Sequence, residues 1–267
     1  MKDVLEEIVA WKRIEVAQQK EQIQPRSLYE QVEQIIASGE YSSRSMRQSL
    51  ASSDSGIIAE FKRKSPSKGW IKEAGRPDVI PASYAANGAS ALSILTDEKY
   101  FGGSMDFVRI ARPTVDRPIL RKDFIIDEYQ LFQAREIGAN AALLIAACLK
   151  KDEVRELTRL AHELKLEVLL ELHNEKELDY CDIDVDMIGI NNRDLGTFHT
   201  DVQHSFDMAA KLPVDVLKVS ESGIGNPDTV RSLRMAGFRG FLMGEHFMKS
   251  ADPGVELAKF IEKVVNP

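Results

Sequence analysis

The sequence predicts an α/β fold, a closed parallel (βα)8 TIM barrel preceded by an N-terminal helical extension. Short apolar runs rich in β-branched residues recur eight times along the chain. Segments with helical spacing separate them, and polar or charged residues gather just beyond their C-terminal ends. Strands that alternate with helices need crossovers and hence a parallel sheet, and near-continuous apolar runs suit strands buried on both faces. A doubly wound open sheet is the competing architecture, but no G-x-G-x-x-G follows the first run. With 267 residues, 43% hydrophobic and 29% charged, the chain can fill a sizeable core. We expect one domain over 1–267, with the extension over 1–55 and the barrel over 56–267.

Within the extension, Val4, Ile8, Trp11 and Glu15 trace one helical stripe, and Ser27-Leu28-Tyr29-Glu30 reads as a capping box that opens a second helix bearing Val32 and Ile36. Serines 42, 43, 45, 49, 52, 53 and 55 mark a polar connection. Mixed charge argues for a packing cover over the barrel rather than a membrane or partner helix; in its functional form, this cover partly closes the mouth of the site. The strand candidates follow at Gly56–Glu60, Ala91–Leu95, Pro118–Arg121, Ala141–Ala146, Glu167–Leu170, Asp186–Ile190, Val216–Val219 and Gly240–Met243. Helical spacing is clearest over Asp127–Ile137, Asp152–Leu164 and Asn226–Met235. Gly88, Gly138 and Gly237 stand where C-terminal caps belong, and Asn226-Pro227 sets a cap before a first-turn proline.

The first strand ends in Glu60-Phe61-Lys62-Arg63-Lys64-Ser65-Pro66-Ser67-Lys68-Gly69. Alternation along a strand puts Glu60 and Lys62 on one face. An acid and a base facing a barrel interior are costly unless they compensate each other or meet a polar ligand, so the pair marks a site; a solvated strand end with a surface ion pair is the plainer alternative. The same ends carry Thr96 and Asp97, Lys122 and Asp123, Glu171, Asn191, Glu221 and Ser222, and Gly244 and Glu245. A barrel gathers such residues on one face.

A net charge of −7 argues against a broad nucleic-acid footprint, while Lys62, Arg63, Lys64 and Lys68 form a local anion site. The expected partner is therefore a small anion. Cys148 and Cys181, the two cysteines, lack ligand-like spacing and read as free thiols in a reducing cytoplasm. No apolar stretch approaches the ~20 residues that span a bilayer, and Asp3, Glu6 and Glu7 stand where a targeting segment would be basic. No membrane contact, metal or cofactor is expected, and the chain is expected to be a monomer.

The run Ile58–Gly69 resembles the first-strand signature of the indole-3-glycerol phosphate synthase family. The resemblance continues in order through Leu95-Thr96-Asp97, Leu120-Arg121-Lys122-Asp123-Phe124, Leu170-Glu171-Leu172-His173, Ile190-Asn191-Asn192-Arg193-Asp194-Leu195, Ser220-Glu221-Ser222-Gly223-Ile224 and Met243-Gly244-Glu245. It covers essentially the whole chain, helical extension included. It implies a phosphosugar substrate, 1-(2-carboxyphenylamino)-1-deoxyribulose 5-phosphate, closed to an indole with loss of carbon dioxide and water in tryptophan biosynthesis.

That resemblance assigns Lys122 as the acid that protonates the ketone oxygen, held protonated by Glu60 and Glu171 unless burial outweighs them. Lys62 would bind the substrate carboxylate, and Glu171 and Glu60 would supply the later base and acid. Asn191 would orient Glu60 or the substrate, and Glu221 with Ser222 would hold sugar hydroxyls. Phe124 would wall the anthranilate ring. Ser65, Gly223, Gly244 and the amide of Glu245 would grip the phosphate, a recurrent use of the loops after strands seven and eight. Two other classes remain open: a Schiff-base aldolase with Lys122 or Lys62 as nucleophile, and a silent phosphosugar-binding barrel. A sister isomerase would lean on Cys-Gly where this chain has Glu60-Phe61-Lys62.

Overall fold

The computed structural model describes residues 4–39, 44–194 and 196–266. Ser42 and Ser43 of the serine-rich connection and Leu195 of the sixth-strand motif lie outside the described residues. Eight parallel strands close a barrel: β1 Ile57–Phe61, β2 Ala91–Leu95, β3 Ile119–Lys122, β4 Ala141–Ile145, β5 Glu167–Leu172, β6 Met187–Asn191, β7 Leu217–Glu221 and β8 Phe238–Met243. Each pairs with the next in the chain, and β8 closes on β1 through Ile58 opposite Leu242. Just past β1, Lys64–Ser65 and Gly69–Trp70 form a separate small hairpin.

Four strands differ from the expected bounds in the same sense: their polar ends belong to the ladder. Lys122 pairs with Leu95, Glu171 with Gly189, and Asn191 with Glu221. These polar residues are thus held within the barrel ladder rather than carried on loops. Alternation sorts the rest. Ile58, Leu120, Leu143, Leu169, Met187, Val219 and Leu242 form one buried cluster inside the barrel. Ile57, Ala59, Ile119, Leu144, Leu170 and Ile188 pack outward under the helices in another.

Crossover helices include α4 Ile80–Ala86, α5 Met105–Ala111, α6 Glu128–Glu136, α7 Lys151–Glu163, α8 Gln203–Ala209 and α9 Pro227–Met235, and α10 Glu245–Met248 and α11 Pro253–Val265 follow β8. The β5–β6 crossover uses a 3-10 segment, Glu175–Asp182, in place of an α-helix. Asp127 and Asn226 accept first-turn amides as N-caps. Gly88, Gly138 and Gly237 have φ of +92°, +87° and +99°, the left-handed geometry expected of them.

The extension differs in detail. Helix α1 (Val4–Gln22) buries Leu5, Ile8, Lys12 and Val16, a stripe rotated from the expected one because the Lys12 ammonium faces inward to meet carboxylates at the barrel mouth. Helix α2 (Pro25–Ser38) begins with Pro25 as its first residue, so Ser27 sits inside the first turn and makes no cap. The serine-rich connection contains a short helix, α3 (Met46–Ala51), capped by the Ser45 hydroxyl. Met46 and Leu50 are fully buried and join the interior cluster, stoppering the barrel at the strands' N-terminal ends. Glu167 at the start of β5 anchors this stopper, accepting from Ser45 Oγ at 2.5 Å and the Arg47 amide at 2.9 Å. Among the described residues, no helix is long and apolar enough to cross a membrane.

Candidate active site

The inner-face series rise from apolar to charged toward the mouth: Ile58 to Glu60, Leu120 to Lys122, Leu169 to Glu171, Val219 to Glu221. A cavity of about 680 Å³ opens there, lined by these four residues together with Lys62, Ser65, Phe124, Asn191, Ser222, Gly223, Gly244 and Glu245. Every residue assigned to the site from sequence thus faces one space.

Lys122 lies at the centre. Its Nζ donates to Glu171 Oε2 at 2.9 Å and stands 3.8 Å from Glu221 Oε2. Glu60 pairs with Lys62 instead, so the nearest counterions of Lys122 are Glu171 and Glu221. Asn191 donates to Glu171 Oε1 at 3.1 Å rather than to Glu60, because β6 abuts β5 whereas β1 lies across the barrel. Two glycines make room for the carboxyls. A Cβ at Gly189 would lie 2.1 Å from Glu221 Oε1, and one at Gly244 would lie 2.5 Å from Glu60 Oε1.

Burial opposes charge on Lys122, yet the fields of Glu171, Glu221 and Glu60 outweigh it and raise its pKa above the usual lysine range. The ammonium is held protonated. Burial also pushes Glu171 up, but Lys122 and His173 more than reverse this and hold it well below the usual carboxylate range. For Glu221 burial and the neighbouring Glu171 charge act together, and its pKa is raised well above normal. The two neighbouring carboxyls are thus pushed in opposite directions, Glu171 down and Glu221 up, a separation of the kind that acid–base chemistry uses.

At the opposite rim, Ser65 Oγ is buried without a hydrogen-bond partner, and Ser222 and Gly223 turn the chain with φ of +68° and +75°. Gly244 leads into α10, where Glu245 supplies a first-turn amide; its carboxylate is engaged by Lys249 and lies 3.8 Å from Arg193 Nη2. On the apolar side, Phe124 and Phe101 lie 6.0 Å apart between ring centroids, and Val4, Leu5 and Ile8 of α1 also line the cavity. The extension therefore forms part of the mouth.

Three residues with no role in the sequence reading emerge here. Arg193 donates to Ser67 Oγ at 2.6 Å, tying the loop after β6 to the one after β1. His173 contacts Glu171 at 2.8 Å. Lys12 is fully buried, 2.9 Å from both Asp97 Oδ2 and Asp123 Oδ1 and 3.0 Å from Glu15. Its one sequence signal was its place four residues beyond Ile8.

A closed barrel with interleaved ammonium and carboxyl groups at its mouth, and glycine turns after β7 and β8, defines a barrel enzyme for acid–base work on a small anion. Residues 5–260 match the sequence model of indole-3-glycerol phosphate synthase, and the chain belongs to that family. Indole-3-glycerol phosphate synthase of Bacteroides thetaiotaomicron is 60% identical over 264 residues, covering 99% of this chain and 100% of the relative. That of Bordetella pertussis is 43% identical, covering 98% and 100%. In fold, the chain resembles the tryptophan synthase α-subunit of Pyrococcus furiosus (TM-score 0.61, 14% identity, 80% of this chain and 99% of that one). It is likewise similar to 3-hexulose-6-phosphate synthase from Salmonella typhimurium (TM-score 0.62, 12% identity, 79% and 98%).

Proposed function

We infer that the chain is a carboxy-lyase of tryptophan biosynthesis that converts 1-(2-carboxyphenylamino)-1-deoxyribulose 5-phosphate to indole-3-glycerol phosphate, carbon dioxide and water. The observation that carries this reading is the Lys122 ammonium, held protonated between Glu171 and Glu221 on the cavity floor. Ring closure joins the carboxylate-bearing aromatic carbon to the ketone carbon, and Lys122 delivers the proton to the ketone oxygen as that bond forms. Lys62 holds the substrate carboxylate until the carbon–carboxylate bond breaks and aromaticity returns. Departure of the former ketone oxygen as water needs an acid at that oxygen and a base for the remaining proton. Ionised Glu171 is the base, and Glu60, poised on Lys62, is the acid–base group at the leaving hydroxyl. Asn191 steadies Glu171, and Glu221 with Ser222 holds the sugar hydroxyls. Phosphate sits against the unpartnered Ser65 hydroxyl and the amides at Gly223, Gly244 and Glu245; the aryl ring lies against Phe124. The reaction is assigned to the cytoplasm, consistent with two cysteines that are not joined in a disulfide.

A Schiff-base mechanism at Lys122 is disfavoured, since a nucleophilic amine must be unprotonated and this ammonium is stabilised. Mixing the protein with the substrate and following indole fluorescence tests the reading. Wild type gives a growing signal, and Lys122→Met lowers turnover at least ~100-fold with a milder change in KM. Absence of signal from folded wild type, or near-normal turnover in the variant, overturns it.

A further inference from the structure

His173 lies two residues beyond Glu171, on the same inward face of the β5 extension. Its side chain is 8% exposed and its Nε2 lies 2.8 Å from Glu171 Oε1. Its Nδ1 is buried without a partner, and the residue lines the cavity. Its backbone amide donates to Glu177 Oε2 at 2.6 Å, and Asn174 donates to the other oxygen of that carboxylate at 2.6 Å. The backbone that carries the ring is thus braced at the end of β5.

Glu171 then receives three donors: Lys122 on Oε2, and His173 and Asn191 on Oε1. Lys122 has its own task as proton donor, and Asn191 is neutral. His173 is the remaining group that can bring both a hydrogen bond and a charge to Glu171. We propose that His173 is a positioning residue of the reaction, which aims the Glu171 carboxylate into the cavity and keeps it ionised in mildly acidic solution. The inference rests on the role given to Glu171 above.

The charges around the ring fit this task. Burial opposes the imidazolium, but Glu171 and Glu177 outweigh it, with Lys122 acting against them, and the pKa is raised above 6.5. Asp194, on the loop after β6, also feels the ring's charge, and Glu221 faces Glu171 from β7. A raised histidine pKa means that the imidazolium is present throughout the acid range and is lost only as pH rises through the raised value. Over the range in which Glu171 would take up a proton, His173 is therefore charged.

The test compares kcat against pH for wild type, His173→Leu and His173→Gln, with circular dichroism as the check on folding. Removing donor and charge in His173→Leu moves the acid limb of kcat up by about one pH unit or more, which is about tenfold in kcat on that limb. KM stays within about threefold, since the ring acts through Glu171. His173→Gln restores a donor without charge and gives an intermediate limb. Acid limbs that superimpose on wild type in both variants overturn the proposal, as does a uniform loss of kcat at every pH. If His173→Leu does not fold, the glutamine variant decides by the same criterion. Imidazole nitrogen NMR of wild type gives a readout independent of turnover: a doubly protonated ring above pH 6.5 supports the proposal, and a ring neutral at pH 6 overturns it. Failure of the wild-type reaction itself would appear as an absence of indole product at every pH, which separates it from failure of this inference.

Discussion

Gly189 shows how tightly the floor of the site is drawn. Its missing side chain is the space that the Glu221 carboxyl occupies, 2.1 Å from where a Cβ would sit. Gly189→Ala must therefore push that carboxyl off its position beside Lys122 while leaving the outer face of β6 intact. We expect kcat to fall ~10- to 100-fold, as displacement of a reacting group by about an ångström does, with unchanged circular dichroism; turnover within twofold of wild type would show that the carboxyl relocates freely. The charged residues that line the cavity were legible in the sequence because a barrel gathers such groups at strand ends and because Glu60, Lys62, Lys122 and Glu171 stand at those ends. Lys12 was not. A lysine on an amphipathic helix reads as solvated unless its partners are known, and Asp97 and Asp123 come from two strands far along the chain. His173 was visible as a residue but not as a role, since only the fold brings its Nε2 to Glu171.

At the scale of elements, the alternation of strand and helix predicted the barrel and its order, and what escaped lies mostly in the extension. A serine-rich stretch hid α3 because its large apolar residues are two, Met46 and Leu50, that become decisive only inside a barrel. Leu50→Ala leaves a cavity in the stopper and should cost about 2–5 kcal/mol in urea denaturation. It should leave kcat unchanged, since α3 is at the end opposite the site; a loss of activity at full stability would contradict that separation. Helix α1 is held by Lys12, whose ammonium shares two carboxylates that also order the neighbouring loops: Asp97 accepts the Tyr100 and Phe101 amides, and Asp123 accepts the Phe124 amide. Lys12→Met leaves buried Asp97 without its cation and Asp123 with Arg121 alone, and should cost about 3–5 kcal/mol, together with a raised KM because Phe101 and Phe124 line the cavity.

For the whole molecule, that cluster sets a characteristic dependence on pH. Burial would raise Asp123, but Lys12 and Arg121 hold its pKa far below the usual carboxylate range. Its contribution is thus complete above a pH of about 4 and fades as pH falls through the depressed value. Burial opposes the Lys12 charge, yet Asp123, Asp97 and Glu15 raise its pKa, so its contribution is complete below a pH of about 10.4 and fades as pH rises through the raised value. The stability gap between wild type and Lys12→Met, read from urea midpoints at several pH values, should be level from about pH 5 to 9 and narrow in acid as the variant's carboxyls, deprived of the Lys12 charge, take up protons. A gap that widens in acid would reverse the assigned signs. The same N-terminal segment closes both ends of the barrel, α1 at the mouth and α3 at the floor, and its anchors arrive late: Asp123 on the far side of β3, Tyr129 accepting no role until its hydroxyl meets the Gln19 and Ile23 carbonyls, and Glu167 at the start of β5. During synthesis these helices must therefore wait, with their apolar stripes uncovered, until the strands and helix that bear their anchors, about a hundred residues further along, have followed them.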